Sequence, residues 1–240
     1  MNIDTVTFTG ADNSVDPKDL VAISSCYPYV EWGILFPSST FGVSRFPSAS
    51  WVDDLIKTKS QFQDVVFNLS AHICEPYAKW FIEGGKVNEL ITGVGIDNIS
   101  SFRRMQFNLH GTPLTAYSSG CLDLIHSLPQ EIIIQADGVN TWIVNALREA
   151  SVLYDTSSGA GTFDNIWPYH RSDRPFGYAG GLNIETLPLA IKAWEDREQT
   201  FWIDMETGVR TYTDTEDYDI FDLDKVVDVL EFIDPYVSKA

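Results

Sequence analysis

Basic residues are scarce in this chain: 16 lysines and arginines stand against 34 aspartates and glutamates, a formal charge of -18 over 240 residues. A field of that sign repels nucleic acid and anionic lipid, which argues against polyanion binding as a function class. The same field repels a phosphorylated small molecule at long range, so a phosphate site here has to rely on local backbone donors and a few well-placed cations. Cysteine is rarer still. Cys26, Cys74 and Cys121 lie far apart and form no Cys-x-x-Cys pair, so no disulfide framework is expected and a reducing compartment fits best. No run approaches the roughly 18 consecutive apolar residues that a membrane helix needs. The opening Met1-Asn2-Ile3-Asp4-Thr5 has no basic segment followed by an apolar one, so a cytoplasmic protein without a membrane partner is expected. With no secretion signal, Asn68-Leu69-Ser70 and Asn98-Ile99-Ser100 are chance matches to the glycosylation tripeptide.

What is present is enough apolar matter for one sizeable core, 44% hydrophobic with 13% aromatic, so residues 1–240 read as a single domain. Short β-rich runs alternate with segments of helical period. Candidate strands lie at 6–9, 32–36, 65–69, 105–109, 132–136, 152–155, 176–179 and 201–204. Candidate helices follow at 17–25, 49–57, 76–83, 118–127, 141–149, a weak segment near 166–170, 184–195 and 222–233. Asp16-Pro17 and Asn183 supply cap and first-turn signals, and Val226, Val229, Leu230 and Ile233 repeat at helical spacing. Strands alternating with helices predict a parallel sheet, and the unbroken Ile132-Ile133-Ile134 predicts burial on both faces. A doubly wound open sheet has about five to seven strands. Eight units in this length suit a closed (β/α)8 TIM barrel instead. The stretch 84–104 is longer than one helix requires and predicts an insertion; the loops 156–175 and 207–221 are also long and predict a lid or wall of the site.

The residues with chemical potential gather at predicted strand ends. The run 152–154 delivers Asp155 into a Gly/Ser-rich loop, and 176–179 delivers Gly180-Gly181. In a parallel α/β fold these are neighbouring strand ends opening on one mouth, where such folds place ligands. Asp155 reads either as a functional carboxylate or as a cap that orders its loop. Gly180, Gly181 and Gly208 follow the seventh and eighth strands, where barrels hold a phosphate on backbone N–H groups, and glycine lets the backbone approach closely. Asp204, ending the eighth strand, either contacts a substrate amino or hydroxyl group or makes a structural bond at the mouth. His110, ending the fourth, either lines the pocket or is a satisfied structural histidine. His72-Ile73-Cys74 with His110 has the wrong spacing for a compact metal site, so no metal and no cofactor are expected. The acidic stretch 214–224 reads as a solvated loop before the last helix, with nothing catalytic in it.

The strand-end motifs resemble phosphoribosylanthranilate isomerase in order and spacing. Thr7-Phe8-Thr9-Gly10 stands where that family has Lys-Ile-Cys-Gly; Gly33-Ile34-Leu35-Phe36-Pro37 with Ser44-Arg45 is similar to its second strand and arginine loop. Val65-Val66-Phe67-Asn68 resembles the third strand and Asn108-Leu109-His110-Gly111 the Gln-Leu-His-Gly end of the fourth. Leu153-Tyr154-Asp155, Ala179-Gly180-Gly181-Leu182-Asn183 and Asp204-Met205-Glu206-Thr207-Gly208-Val209 resemble the sixth, seventh and eighth strand ends. The resemblance implies an enzyme: an isomerase of tryptophan biosynthesis that carries out an Amadori rearrangement of a phosphorylated aminoaldose to an aminoketose. It implies that Asp155 is the acid, that Arg45 grips a substrate carboxylate, and that the base position is Thr9.

A threonine hydroxyl has no accessible anion near neutral pH, so Thr9 cannot act as a base alone. Asp12, in the next loop, either supplies the base, with Asp155 kept protonated in a drier setting, or is a turn residue of Asp12-Asn13-Ser14. Arg210, where the family has a glutamate, puts a cation near the expected phosphate, which either helps anion binding or signals a different ligand. A phosphorylated small molecule is thus the expected partner, and a homodimer remains open. The alternatives are a barrel enzyme acting on another sugar phosphate, and a phosphate-ligand-binding barrel without turnover.

Overall fold

The structure is a computed structural model that describes residues 2–37, 41–85, 99–109, 117–137, 141–157, 160–170, 173–213 and 218–238. Eight parallel strands close into a barrel in chain order: β1 (Asn2–Thr9), β2 (Val30–Phe36), β3 (Asn68–Ile73), β4 (Arg104–Phe107), β5 (Glu131–Ala136), β6 (Ser151–Asp155), β7 (Phe176–Ala179) and β8 (Thr200–Met205). β1 closes the ring by pairing with β8, Val6 opposite Ile203 and Thr7 opposite Asp204. The connecting helices are α1 (Pro17–Cys26), α2 (Ala49–Gln61), α3 (Tyr77–Ile82), α4 (Ser119–Ser127), α5 (Thr141–Ala146), α6 (Leu187–Trp194) and α7 (Leu223–Ile233). The chain thus folds as the (β/α)8 barrel that its alternation predicts. Among the described residues no helix is long and apolar enough to cross a membrane.

Local chemistry sets the helix starts. Asp16 accepts from Lys18 N ahead of Pro17, Ser48 accepts from Trp51 N, and Asp222 accepts from Asp224 N and Lys225 N, each satisfying amides that a first turn leaves open. The spaced Val226, Val229, Leu230 and Ile233 of α7 are all buried in the main core cluster. That cluster also holds Ile132 and Ile134 of β5, whereas Ile133 between them joins Leu153, Ala179 and Trp202 in a separate, small cluster. Strand pleating sends alternate residues to opposite faces, so one apolar run serves both the outer layer and the barrel interior.

Below that small cluster the interior is polar. Arg104 Nε donates to both Glu31 oxygens at 2.9 Å, its Nη2 donates to Thr7 Oγ1 at 3.0 Å, and its guanidinium lies 4.5 Å from the centre of the Trp202 ring. All of these groups are buried.

Four expectations change. The third strand is Asn68–Ile73, not 65–69: pairing with β2 begins at Asn68 opposite Glu31, and Val66 is exposed. The segment 166–170 is not helical; Pro168 interrupts it, and the Trp167 indole donates to Ala179 O at 2.7 Å instead. Asn183 caps a turn, accepting from Glu185 N and Thr186 N, before α6 begins at Leu187. The stretch after β8 contains a two-stranded antiparallel hairpin, β9 (Arg210–Thr213) and β10 (Tyr218–Phe221), so Asp219 lies in a strand rather than a solvated loop. Most of the expected insertion at 84–104 and part of each long loop lie outside the described residues.

Candidate functional site

The C-terminal ends of the strands surround an open cavity of about 60 Å³. Its floor is made by inward-facing residues of successive strands: Thr9, His72, Gln106, Gln135, Asp155 and Asp204. The turns after β7 and β8 form its wall, bringing Gly180, Gly181 and Gly208 to the same opening as Asp155.

Thr9 and Asp204 form the tightest pair. The Thr9 hydroxyl donates to Asp204 Oδ1 at 2.7 Å. Burial pushes the Asp204 carboxyl up from 3.8 to about 7, against the opposing effects of the Thr9 hydrogen bond and the Arg104 charge. Near neutral pH this group can therefore both hold and release a proton, the condition that proton-transfer catalysis requires. Asp155 sits in a different setting. It accepts from Gln135 Nε2 at 2.7 Å, Ser157 N at 2.9 Å and Ser157 Oγ at 2.7 Å. Asp155 is as buried as Asp204; the two differ in the donors they meet, three for Asp155 and the Thr9 hydroxyl for Asp204.

His72 is a member of the site that sequence reasoning considered only as a metal ligand. Burial, reinforced by the Arg104 charge, holds its imidazole down to about 3, so it is neutral. Gln106 Nε2 lies 3.2 Å from His72 Nδ1 and also donates to Asn108 Oδ1 at 3.0 Å. The Thr9 hydroxyl also lies 3.4 Å from His72 Nδ1, so the ring sits between Gln106 and Thr9. Neither His72 Nε2 nor Gln106 Oε1 has a partner among the described residues. Gly33 makes room for this arrangement, since a Cβ there would stand 2.4 Å from Thr9 Oγ1 and 2.9 Å from the His72 ring.

The glycines of the wall have a packing reason as well as a binding one. Gly181 has φ +62°, and a Cβ on it would lie 2.4 Å from Phe163 N; a Cβ on Gly208 would lie 2.0 Å from Leu182 O. The segments after β6, β7 and β8 are thus packed backbone against backbone. Among the described residues no backbone carbonyl accepts from the amides of Gly181 and Gly208.

The remaining expected residues gather beside the cavity in an ion cluster. Asp12 accepts from Ser14 N, Arg45 N and Arg210 Nη2 at 2.9, 2.6 and 2.7 Å. Arg45 donates to Glu206 at 2.6 Å and to Asp219 at 2.7 Å. Arg210 is buried and also donates to Gly10 O at 2.6 Å. Asp12, Arg45 and Arg210 do not line the cavity, whereas Glu206 does. The geometry therefore has Asp12 ordering loops, Arg210 tied to carboxylates rather than placed beside the glycines, and both ends of Arg45 engaged by acidic side chains. His110 lies outside the described residues. Among the described residues no group of three His, Cys, Asp or Glu side chains is placed to hold a metal.

The solved structure of N-(5'-phosphoribosyl)anthranilate isomerase from Pyrococcus furiosus matches with a TM-score of 0.55, covering 96% of this chain and 98% of that one at 14% identity. The likeness shows a TIM barrel. A Rubisco-like protein from Rhodopseudomonas palustris matches with a TM-score of 0.45 at 8% identity, covering 84% of this chain and 60% of that one. A designed cube-shaped, highly porous protein cage matches at 0.45 and 12% identity, covering 88% and 67%. No family model matches the sequence, and no curated protein does.

His72, Gln106 and Gln135 were missed as site residues. The signal was present: Leu69-Ser70-Ala71-His72-Ile73 and Met105-Gln106-Phe107 alternate apolar and polar at the period of a strand with one polar face. Placing the third strand three residues early left His72 beyond its end.

Proposed function

We propose that this barrel is an isomerase that rearranges a phosphorylated aminoaldose into the aminoketose, with Asp204 and Asp155 dividing the proton transfers. The observation that carries the reading is the Thr9–Asp204 pair. At the position where the resemblance puts a thiol base, the hydroxyl instead engages a buried carboxyl that titrates at about 7. Two carboxyl groups in contrasting environments are a recurrent way to assign acid and base.

In this mechanism protonated Asp204 gives its proton to the sugar ring oxygen. The C1–O bond breaks, and the nitrogen lone pair forms a C1=N iminium. The Asp155 carboxylate takes the proton from C2, and that electron pair forms C1=C2 as the iminium electrons return to nitrogen. The resulting enaminol becomes the ketone as its 2-hydroxyl proton is lost and C1 gains a proton. The cationic iminium is favoured by the carboxylates Asp155, Asp204 and Glu206 that line the cavity, as an electrostatically preorganised site requires. The glycine turns supply the phosphate end, with backbone amides as its donors.

The test is turnover of a series of phosphorylated N-substituted ribosylamines by the purified protein. Product is expected, with Asp204→Asn and Asp155→Asn each lowering kcat/KM by a factor of about 10² to 10⁴. No product from any member of the series, or a full rate in Asp204→Asn, would overturn the assignment.

A further inference from the structure

Taking the aminoaldose reading as its basis, we infer that His72 is a positioning residue for Asp204: acting through Thr9, it holds the carboxyl so that one oxygen is engaged and the other is left for the substrate. Thr9 stands between the two. Its hydroxyl is 2.7 Å from Asp204 Oδ1 and 3.4 Å from His72 Nδ1. Among the described residues no hydrogen bond reaches Asp204 Oδ2, and Asp204 lines the cavity. The ring is fixed from its other side, where Gln106 Nε2 lies 3.2 Å from Nδ1 and is itself tied to Asn108 Oδ1 at 3.0 Å. Thr9 and the ring meet over Gly33, where a Cβ would stand 2.4 Å from Thr9 Oγ1 and 2.9 Å from His72 Nε2. The missing side chain on β2 is what lets them meet.

The imidazole can serve in this way only while uncharged, because a cation at this distance favours the ionised carboxylate and would draw the proton off the acid near neutral pH. Burial, with the Arg104 charge added, keeps the ring neutral, and His72 is 1% exposed. Arg104 of β4, Glu206 after β8 and Glu31 of β2 also act on Asp204, and Asp155 of β6 shares its cavity. The Thr9 and His72 variants below leave all four in place, so a change in Asp204 reports on the replaced residue. A small misplacement of a catalytic group is costly to rate, which gives a buried neutral ring an effect on turnover.

The experiment reads both groups by NMR on the whole protein, with isotope in the aspartate carboxyl carbons and the histidine ring nitrogens; the Asp204 and His72 signals are those lost in Asp204→Asn and His72→Asn. In the wild type the His72 Nδ1 signal is expected to move with the Asp204 carboxyl, at a midpoint of about 7, with no protonation of its own ring. Thr9→Val keeps the shape and removes the hydroxyl. It is expected to leave Asp204 titrating at a higher midpoint and to cut the Nδ1 movement by about threefold or more, which a field acting through space would not do. His72→Phe is expected to raise the Asp204 midpoint by about half a pH unit, and adding it to Thr9→Val is expected to change nothing more. An Nδ1 signal that ignores Asp204 or follows it equally in Thr9→Val overturns the inference, as does an unmoved midpoint in His72→Phe or an additive double variant. Should His72→Phe not fold, the comparison of wild type with Thr9→Val decides. In turnover of the ribosylamines, His72→Phe is expected to lower kcat about tenfold with KM within about twofold. If the coupling holds and no ribosylamine is converted, the isomerase reading fails and the positioning of Asp204 stands; if ribosylamines are converted while Nδ1 ignores Asp204, the reverse holds.

Discussion

Replacing Asp204 by Asn should separate stability from activity. The folded protein raises this carboxyl from 3.8 to about 7, so at low pH both folded and unfolded chains hold the proton. As pH rises past about 4 the unfolded chain releases it while the folded chain retains it, and folding loses stability until the folded group also ionises near 7. Moving the titration from 3.8 to about 7 corresponds to roughly 4 kcal/mol at full ionisation, of which about 3 kcal/mol falls between pH 5 and 9. Asparagine has no charge to bury and keeps an oxygen that can accept from Thr9, whose hydroxyl now donates to Asp204. Denaturant unfolding at pH 5, 7 and 9 should therefore show the variant gaining on the wild type by about 3 kcal/mol across that range. A pH-independent difference would refute the buried-carboxyl account, whatever its size, and a variant stabilised at pH 9 that also loses turnover would show an active site held at a cost in stability.

Other outcomes follow from the same contacts. If Asp204 is the acid, kcat/KM should fall as pH rises through about 7, and that limb should disappear from the residual rate of Asp204→Asn; a flat wild-type profile from pH 6 to 9 would contradict it. Glu31→Gln leaves the Arg104 guanidinium buried with an uncharged partner and should lower unfolding free energy by about 3 to 5 kcal/mol in denaturant titration. Gly208→Ala forces a methyl against Leu182 O; it should cost about 1 to 3 kcal/mol and weaken binding of phosphate esters measured by calorimetry. Asp12→Asn should act on stability, by about 1 to 3 kcal/mol through its bond to Arg210, and leave the pH profile of turnover in place.

The count of alternating strand and helix patterns in a chain of this length favoured a closed barrel over an open sheet. Eight strand patterns alternating with helical ones leave few topologies, since parallel neighbours need a crossover and each crossover is local in sequence. The strand ends at Thr9, Asp155 and Ala179 and the cap at Asp16 could be read directly, because the signals act over a few residues. That Asp155 and the three glycines share an opening followed from the barrel itself, which brings all C-terminal strand ends to one face. Charge state and partnership could not be read that way. Whether Asp204 is buried beside Thr9, whether Arg45 is open to a ligand or held by Glu206 and Asp219, and whether His72 faces inward all depend on residues up to about 200 positions apart meeting across the ring. Desolvation and pairing are properties of that three-dimensional neighbourhood, so local sequence names the candidate groups and only the closed barrel decides which of them carry protons and which are bound to one another.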